Sequence, residues 1–315
     1  MKLSHDAVLL LSFGGPTSPE QIRPFLARVL AGHPVPPARI AEVVRHYEAV
    51  GGRSPLKDIT FLQAHALDEI LKQLGLPLPI YVGMRHSPPF IPEALDQMTG
   101  DGVKRALAFI LSPHQTEASW ERYQQSVADA RNEIGDRSPH IDYCPGWHNH
   151  PLYIQVWEEL IEDEMEKLAA AERDRTSLIF TAHSVPTSMA ASSPYCAQLQ
   201  ESCSLVAARL NHPRWSIAYQ SRSGNPREPW LEPDISEALH NLAGEKAAPV
   251  VVAPIGFVAE HVEVLYDLDI AAKQIAAGLG LKFFRAGAPN DHPTFIRMVA
   301  DVIEAALSGK SPIAQ

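Results

Sequence analysis

His183 is the side chain best placed for proton chemistry. It follows a short apolar run and precedes Pro186, so its ring sits at a strand end facing a cleft. An imidazole with an unperturbed pKa near ~6.5 serves there as a base or metal ligand, or as a hydrogen-bonded structural ring. Downstream, the stretch Ala259-Glu260-His261-Val262-Glu263-Val264-Leu265-Tyr266-Asp267 carries three acids. On a helix, Glu260, Glu263 and Asp267 fall at i, i+3 and i+7, on one face. Like charges so placed repel, which raises at least one pKa. Phe257, Val262, Val264 and Leu265 make the surroundings apolar. The row therefore reads as a proton path or a seat for a hard cation, ahead of a solvated acidic face.

Other candidates carry less. His86 stands in the polar turn 84–90. Residues 220–231 form a polar, loop-like segment containing Trp230, whose flat ring serves as a wall for a flat apolar ligand or as a plug for the loop. Gly14-Gly15-Pro16 lacks the third glycine of a dinucleotide fingerprint, and no G-x-x-x-x-G-K-[ST] occurs, so a plain turn is expected. His148 and His150 follow Trp147, but no Cys or acid stands at ligand spacing, and a surface loop is expected. Cys196 and Cys203, seven apart in a helical stretch, read as packing residues.

The elements that must hold these groups are visible as eight short apolar runs. They lie at 8–13, 80–82, 106–111 and 141–144, then at 178–181, 217–219, 250–253 and 282–284. Continuous runs, unlike alternating ones, mark strands buried on both faces. Helical patterns at 60–74, 120–134, 152–170 and 201–210 lie between them. Strand–helix alternation gives parallel sheets flanked by helices. The expected architecture is α/β: two Rossmann-like lobes, 1–150 and 151–315, each with a four-stranded parallel sheet, and a cleft between. Ligands of such sheets bind outside the carboxyl ends of the strands, which is where His86 and His183 fall.

Composition narrows the function. The chain has 315 residues, 27 Lys plus Arg and 37 Asp plus Glu, for a net charge of −10. That balance argues against a nucleic-acid partner and against electrostatic docking on an anionic membrane. The apolar run at 7–13 is far short of the ~20 residues that span a bilayer, and reads as a strand and turn, not a signal peptide. Three widely spread Cys make no disulfide framework, so a reducing, cytoplasmic setting is expected. The 27 Pro exceed an average near ~5% and point to many rigid loops.

Taken together and in order, several stretches resemble the ferrochelatase family. They are Leu-Ser-Phe-Gly-Gly-Pro at 11–16, Tyr-Glu-Ala-Val-Gly-Gly-Arg-Ser-Pro-Leu at 47–56, Ala-His-Ser-Val-Pro at 182–186, Tyr-Gln-Ser-Arg at 219–222, Pro-Trp-Leu at 229–231 and Phe-Val-Ala-Glu-His-Val-Glu at 257–263. Lacking an added C-terminal Cys cluster, the chain is most similar to the bacterial coproporphyrin ferrochelatases. The resemblance implies insertion of Fe(II) into coproporphyrin III with loss of two pyrrole protons, on a route to heme. Protoporphyrin IX is the alternative substrate, because its ferrochelatases share the core motifs. His183 would face the macrocycle centre and Glu263 would stand opposite, both binding metal and removing protons, with Asp267 and Glu260 on the proton path. Phe13, Tyr47, Ser54, His86, Tyr123 and Trp230 would contact the porphyrin. Iron and porphyrin would be substrates of a monomer, with no tightly bound cofactor and no iron–sulfur cluster.

Three departures from the family pattern stand out. Phe13 occupies a position where some members have a Tyr able to ligate iron, which a phenyl ring cannot do. Ala271 stands where some continue the acidic row. Leu30 and Ala31 replace basic residues near the pocket mouth, with Arg45 and His46 in partial compensation. Because coproporphyrin is a tetra-anion and the chain is acidic, Arg45, Arg53 and Arg222 are expected to supply local positive charge. Two other readings stay open. A tetrapyrrole or heme carrier would use the same cleft but needs no acidic row. A chelatase placing cobalt or nickel in a sirohydrochlorin shares the lobed fold but not the Gln-Ser-Arg and Pro-Trp-Leu segments.

Overall fold

The computed structural model describes residues 4–32, 35–223, 228–243 and 249–310. Residues 224–227, part of the 220–231 segment, lie outside the described residues. All eight apolar runs are strands. β1 (Ala7–Ser12), β2 (Ile80–Met84), β3 (Arg105–Ile110) and β4 (His140–Tyr143) form one sheet in the order β2-β1-β3-β4. β5 (Ser177–His183), β6 (Trp215–Gln220), β7 (Pro249–Ala253) and β8 (Lys282–Arg285) form the other in the order β6-β5-β7-β8. Every pairing is parallel. The same strand order recurs in both sheets, so the doubled pattern read in the sequence is a doubled topology. All of β1 and all but the last residue of β5 are buried, as unbroken apolar runs require.

Up to β4 the helices are α1 (Pro19–Val29), α2 (Pro37–Ala49), α3 (Leu56–Gln73), α4 (Ile91–Gly100) and α5 (Arg122–Ile134). After it come α6 (Pro151–Met165), α7 (Ala170–Arg173), α8 (Thr187–Ala191), α9 (Tyr195–Arg209), α10 (Ile235–Leu242), α11 (Val262–Tyr266), α12 (Lys273–Gly278) and α13 (Pro293–Leu307). Four of them, α1, α2, α6 and α13, open on a proline. That is where proline's fixed φ and missing N–H suit a helix. Part of the proline surplus therefore stiffens helix starts, not only loops. The patterns at 60–74 and 201–210 begin earlier than expected, at Leu56 and Tyr195, each after a proline. The pattern at 120–134 opens with a π-helical turn, Glu117–Glu121. A second π turn, Asp267–Ala272, links α11 to α12.

The loop at 147–150 is not the expected surface loop. Trp147 is fully buried, His150 accepts from the Leu152 N–H as the N-cap of α6, and His148 Nε2 lies 2.9 Å from Glu201. Burying a large indole there outweighs the polar character of its neighbours. One apolar core runs from β1 and α3 through α6 and α13 to β5 and β7. Each fully buried Leu, Ile or Phe in it contributes roughly 1.5–3 kcal/mol of transfer free energy. α13 returns from the second sheet to pack on α3 and α6. Gln63 of α3 adds a polar tie, donating to the Asn290 carbonyl at 2.8 Å. A smaller cluster packs Ile22, Phe25 and Leu26 of α1 and Val44 and Tyr47 of α2 against Val262 of α11. His46 of α2 also stacks on Tyr266, ring centroids 3.6 Å apart. The α1–α2 pair, inserted after β1, thus roofs the short acidic helix of the other lobe. Among the described residues, no helix is long and apolar enough to cross a membrane.

Candidate active site

His183 is the last residue of β5, where the strand delivers it to the carboxyl edge of the sheet. Its Nδ1–H donates to the Ser184 carbonyl, and Tyr195 O–H donates to the His183 carbonyl at 2.8 Å. A carbonyl only accepts, so Nδ1 keeps its proton and Nε2 is the atom left for chemistry. Nε2 lies 3.6 Å from Glu263 Oε1. Glu263 is in the first turn of α11, just after the N-cap residue His261, whose Nε2 lies 3.3 Å from the second carboxylate oxygen. Two imidazoles therefore flank one carboxylate. Burial by itself would push Glu263 up, but His183 and His261 outweigh it and hold the carboxyl well below the usual range. Burial would lower His183, but Glu263, the Ser184 carbonyl and Asp267 hold it above the ordinary histidine value. The side chains are 30% and 38% exposed, so water reaches the pair and screens part of this coupling.

Asp267 opens the π turn one helical turn beyond Glu263. Its carboxylate accepts from the Ser221 hydroxyl. Burial, helped by the Glu263 charge, pushes Asp267 up to about 6, against the opposing pull of Ser221, His183 and His261. A carboxyl with that pKa exchanges protons near neutral pH. Glu260 does not join the row. α11 begins only at Val262, so the i, i+3, i+7 spacing breaks, and Glu260 turns to Arg285 Nη1 at 2.6 Å. Arg285 also grips Asp269 through two bonds of 2.7 Å. Glu260 is thereby held in an ion pair, and its Oε1 also accepts from the Ala288 N–H at 3.0 Å. Ala271 lies in the π turn, within the stretch where the acids end.

Most of the other expected contact residues lie in the first lobe. Phe13 follows β1 and is 37% exposed, with its ring 4.6 Å from His86 and 6.1 Å from Phe25. Gly14 makes this possible. Its φ is +84°, and a Cβ there would meet Ser87 Oγ at 2.2 Å. Burial and the charges of Arg85, Arg28 and Arg122 push His86 down to about 4, so it is a neutral ring at pH 7. Tyr47 packs edge-on to Phe25 at 6.3 Å; burial and then Glu263 keep its phenol protonated. Ser54 is buried, donating its N–H to the Pro16 carbonyl at 2.8 Å. Tyr123 is buried beneath the Arg85 guanidinium, 5.3 Å from ring centroid to Cζ. Trp230 is nearly buried and bridges Pro186, so the 229–231 segment is laid beside the residues that follow His183.

The structure thus gathers Phe13, His86 and Tyr47 around Phe25, and His183, Glu263 and Asp267 around α11. The contact of Tyr47 and Phe25 with Val262 links the two groups. Of the expected cations, Arg53, next to Ser54, pairs with exposed Asp58, Arg45 is exposed on α2, and Arg222, next to Ser221, donates to the Glu228 carbonyl. The arginines that bear on the His86 wall are Arg28, Arg85 and Arg122. Arg85 directly precedes His86, a signal the sequence offered. His261, two residues before Glu263, was equally close at hand.

Comparison with known proteins converges on one family. A family model described as Ferrochelatase matches residues 5–307. Coproporphyrin III ferrochelatase of Nocardia farcinica is 39% identical over 315 residues, covering 98% of this chain and 90% of that protein. Ferrochelatase of Rhodopirellula baltica is 38% identical over 304 residues, covering 96% and 86%. Among solved structures, the cobalt complex of the sirohydrochlorin chelatase SirB from Bacillus subtilis subspecies spizizenii superposes with a TM-score of 0.59. That match covers 96% of this chain and 95% of the other, at 10% identity, which speaks for a shared chelatase fold alone. With the family model spanning both sheets and every element that carries the His183–Glu263 pair, the chain belongs to the ferrochelatase family.

Proposed function

We propose that the protein inserts ferrous iron into coproporphyrin III, releasing two pyrrole protons, as a step of heme biosynthesis. The observation that carries this reading is the His183–Glu263 pair, 3.6 Å apart, with Asp267 one helical turn behind. Metallation exchanges two N–H protons for one Fe²⁺, so the site needs a base over the macrocycle centre and an exit for protons. The macrocycle lies between the Phe13–His86 wall and His183. Neutral His86 and Phe13 give an apolar face that suits a flat ring. Nε2 of His183 takes a pyrrole proton, and Glu263 stabilises the imidazolium that forms. Each of the two protons in turn leaves the imidazolium toward Asp267, whose pKa near neutrality lets it release to water. Fe²⁺ meets the same pair, a neutral nitrogen and a hard oxygen being suitable donors for it. Phe13 adds no ligand, so product iron gains no phenolate from that side.

Substrate choice rests on the rim. Coproporphyrin carries four propionates and protoporphyrin IX two. Tyr47, Ser54 and Tyr123 supply hydroxyls, and Arg85 beside Tyr123 supplies charge. Relatives named coproporphyrin III ferrochelatases, at 36–39% identity, support the four-propionate substrate. Anaerobic initial rates of Fe(II) insertion into the two porphyrins test the reading. A higher kcat/KM for coproporphyrin III is expected. A preference for protoporphyrin IX would reassign the substrate, and no insertion into either would refute the activity.

A further inference from the structure

The mechanism leaves Gln220 and Ser221 without a task, although both touch the acids it uses. Gln220 ends β6 and is the register partner of His183 in β5. It is 1% exposed, its Nε2 donates to the Glu263 main-chain carbonyl at 2.8 Å, and its Oε1 is buried without a partner. A residue needed only to fill space would avoid that unsatisfied amide oxygen. Ser221 follows with φ +61°, a left-handed conformation that a residue with a Cβ adopts at a cost. From that conformation its hydroxyl reaches the Asp267 carboxylate. Backbone strain and an orphaned buried group, side by side, are retained where geometry matters.

We infer that Gln220 and Ser221 form a positioning clamp. Gln220 fixes the Glu263 backbone relative to His183, Ser221 fixes the Asp267 carboxylate, and the pair sets the spacing of the proton relay. α11 has five residues and passes directly into a π turn, so its own hydrogen bonds do little to aim it. A strap from the neighbouring strand supplies what the helix lacks. The inference rests on the proposed roles of His183, Glu263 and Asp267. Gln220 and Ser221 act through those residues and are positioning residues.

Ser221→Gly isolates the hydroxyl, because glycine takes a positive φ without penalty. If Ser221 serves only the turn, this variant matches or exceeds the wild type in Tm and in turnover. The clamp predicts a ~10-fold loss of kcat, the scale of one hydrogen bond to a charged group, with KM for coproporphyrin III unchanged. In an Asp267→Ala background the same substitution changes kcat by less than ~2-fold, since its only route to the reaction is gone. Gln220→Leu, which keeps the volume, lowers kcat with porphyrin KM unchanged. Wild-type kcat in a folded Ser221→Gly or Gln220→Leu variant overturns the inference, as do independent losses in the Ser221→Gly, Asp267→Ala double variant. Each of these leaves wild-type turnover, and so the ferrochelatase reading, standing. Absence of wild-type turnover strikes the reading itself.

Discussion

Nε2 of His183, at the end of β5, lies 3.6 Å from Oε1 of Glu263, in the first turn of α11. The two residues are 80 positions apart in the chain and meet because β5 and β7 are adjacent in the sheet and α11 follows β7. Each shifts the other toward its charged form, Glu263 downward and His183 upward. The proton affinity of the imidazole thus depends on the neighbouring carboxylate.

Replacing Glu263 by Gln should move the acid limb of the pH–rate profile to lower pH. His183 must be neutral to accept a proton, and the Glu263 carboxylate raises its pKa. Loss of that charge lets the His183 pKa fall, so neutral imidazole persists to lower pH. The maximal rate should drop by ~10²-fold, because the group that stabilises the imidazolium is lost. An unmoved acid limb in Glu263→Gln would separate the two residues.

Asp267→Asn should stabilise the fold at neutral pH. The folded pKa of Asp267 is about 6 against an ordinary 3.8, so the native state holds the proton more tightly than the unfolded chain does. Ionisation therefore opposes folding, and the wild type loses stability as pH rises from 4 to 6. The substitution should recover about 1–3 kcal/mol above pH 6, and the gain should vanish by about pH 4. Thermal denaturation at pH 8 and pH 4 reads this directly, and an equal gain at both values would contradict it.

Glu260→Gln distinguishes a structural ion pair from a member of the proton path. Glu260 and Arg285 are each 15% exposed and 2.6 Å apart. Breaking a partly buried pair of this kind costs about 1–3 kcal/mol, seen as a lower urea midpoint. Turnover should stay near wild type at a temperature where the variant is folded. A loss of kcat by ~10-fold or more would return Glu260 to the relay.

Gly14→Ala should destabilise the protein by at least about 2 kcal/mol. The left-handed φ alone costs an L-residue roughly 1–2 kcal/mol, and the added methyl collides with Ser87. The His86 N–H donates to the Phe13 carbonyl at 3.1 Å, so the shift should reach both rings. Weaker porphyrin binding, read by fluorescence titration, should accompany the stability loss, and unchanged affinity would detach this turn from the site.

Much of the fold was legible because buried parallel strands leave unbroken apolar runs, such as residues 250–253. His183 could be read from its place after such a run. The α1–α2 pair was harder, because it buries its face on α11 of the other lobe, a partner that no local period announces. The helical spacing of Glu260 with Glu263 and Asp267 does not hold, because His261 is the N-cap and the helix starts only at Val262, a boundary that the acid spacing does not announce. The partners of the cations were hidden for a similar reason. Charge pairing is settled in space, where Asp58 takes Arg53 and the arginines near His86 converge from three separate segments.

If His183 removes pyrrole protons during metallation, losing its imidazole must stop insertion without releasing the porphyrin. Anaerobic Fe(II) insertion into coproporphyrin III by wild type and His183→Ala, with porphyrin affinity measured alongside, tests it most directly. Insertion should fall by ~10²-fold or more with porphyrin affinity retained. Wild-type-like turnover in His183→Ala would contradict it.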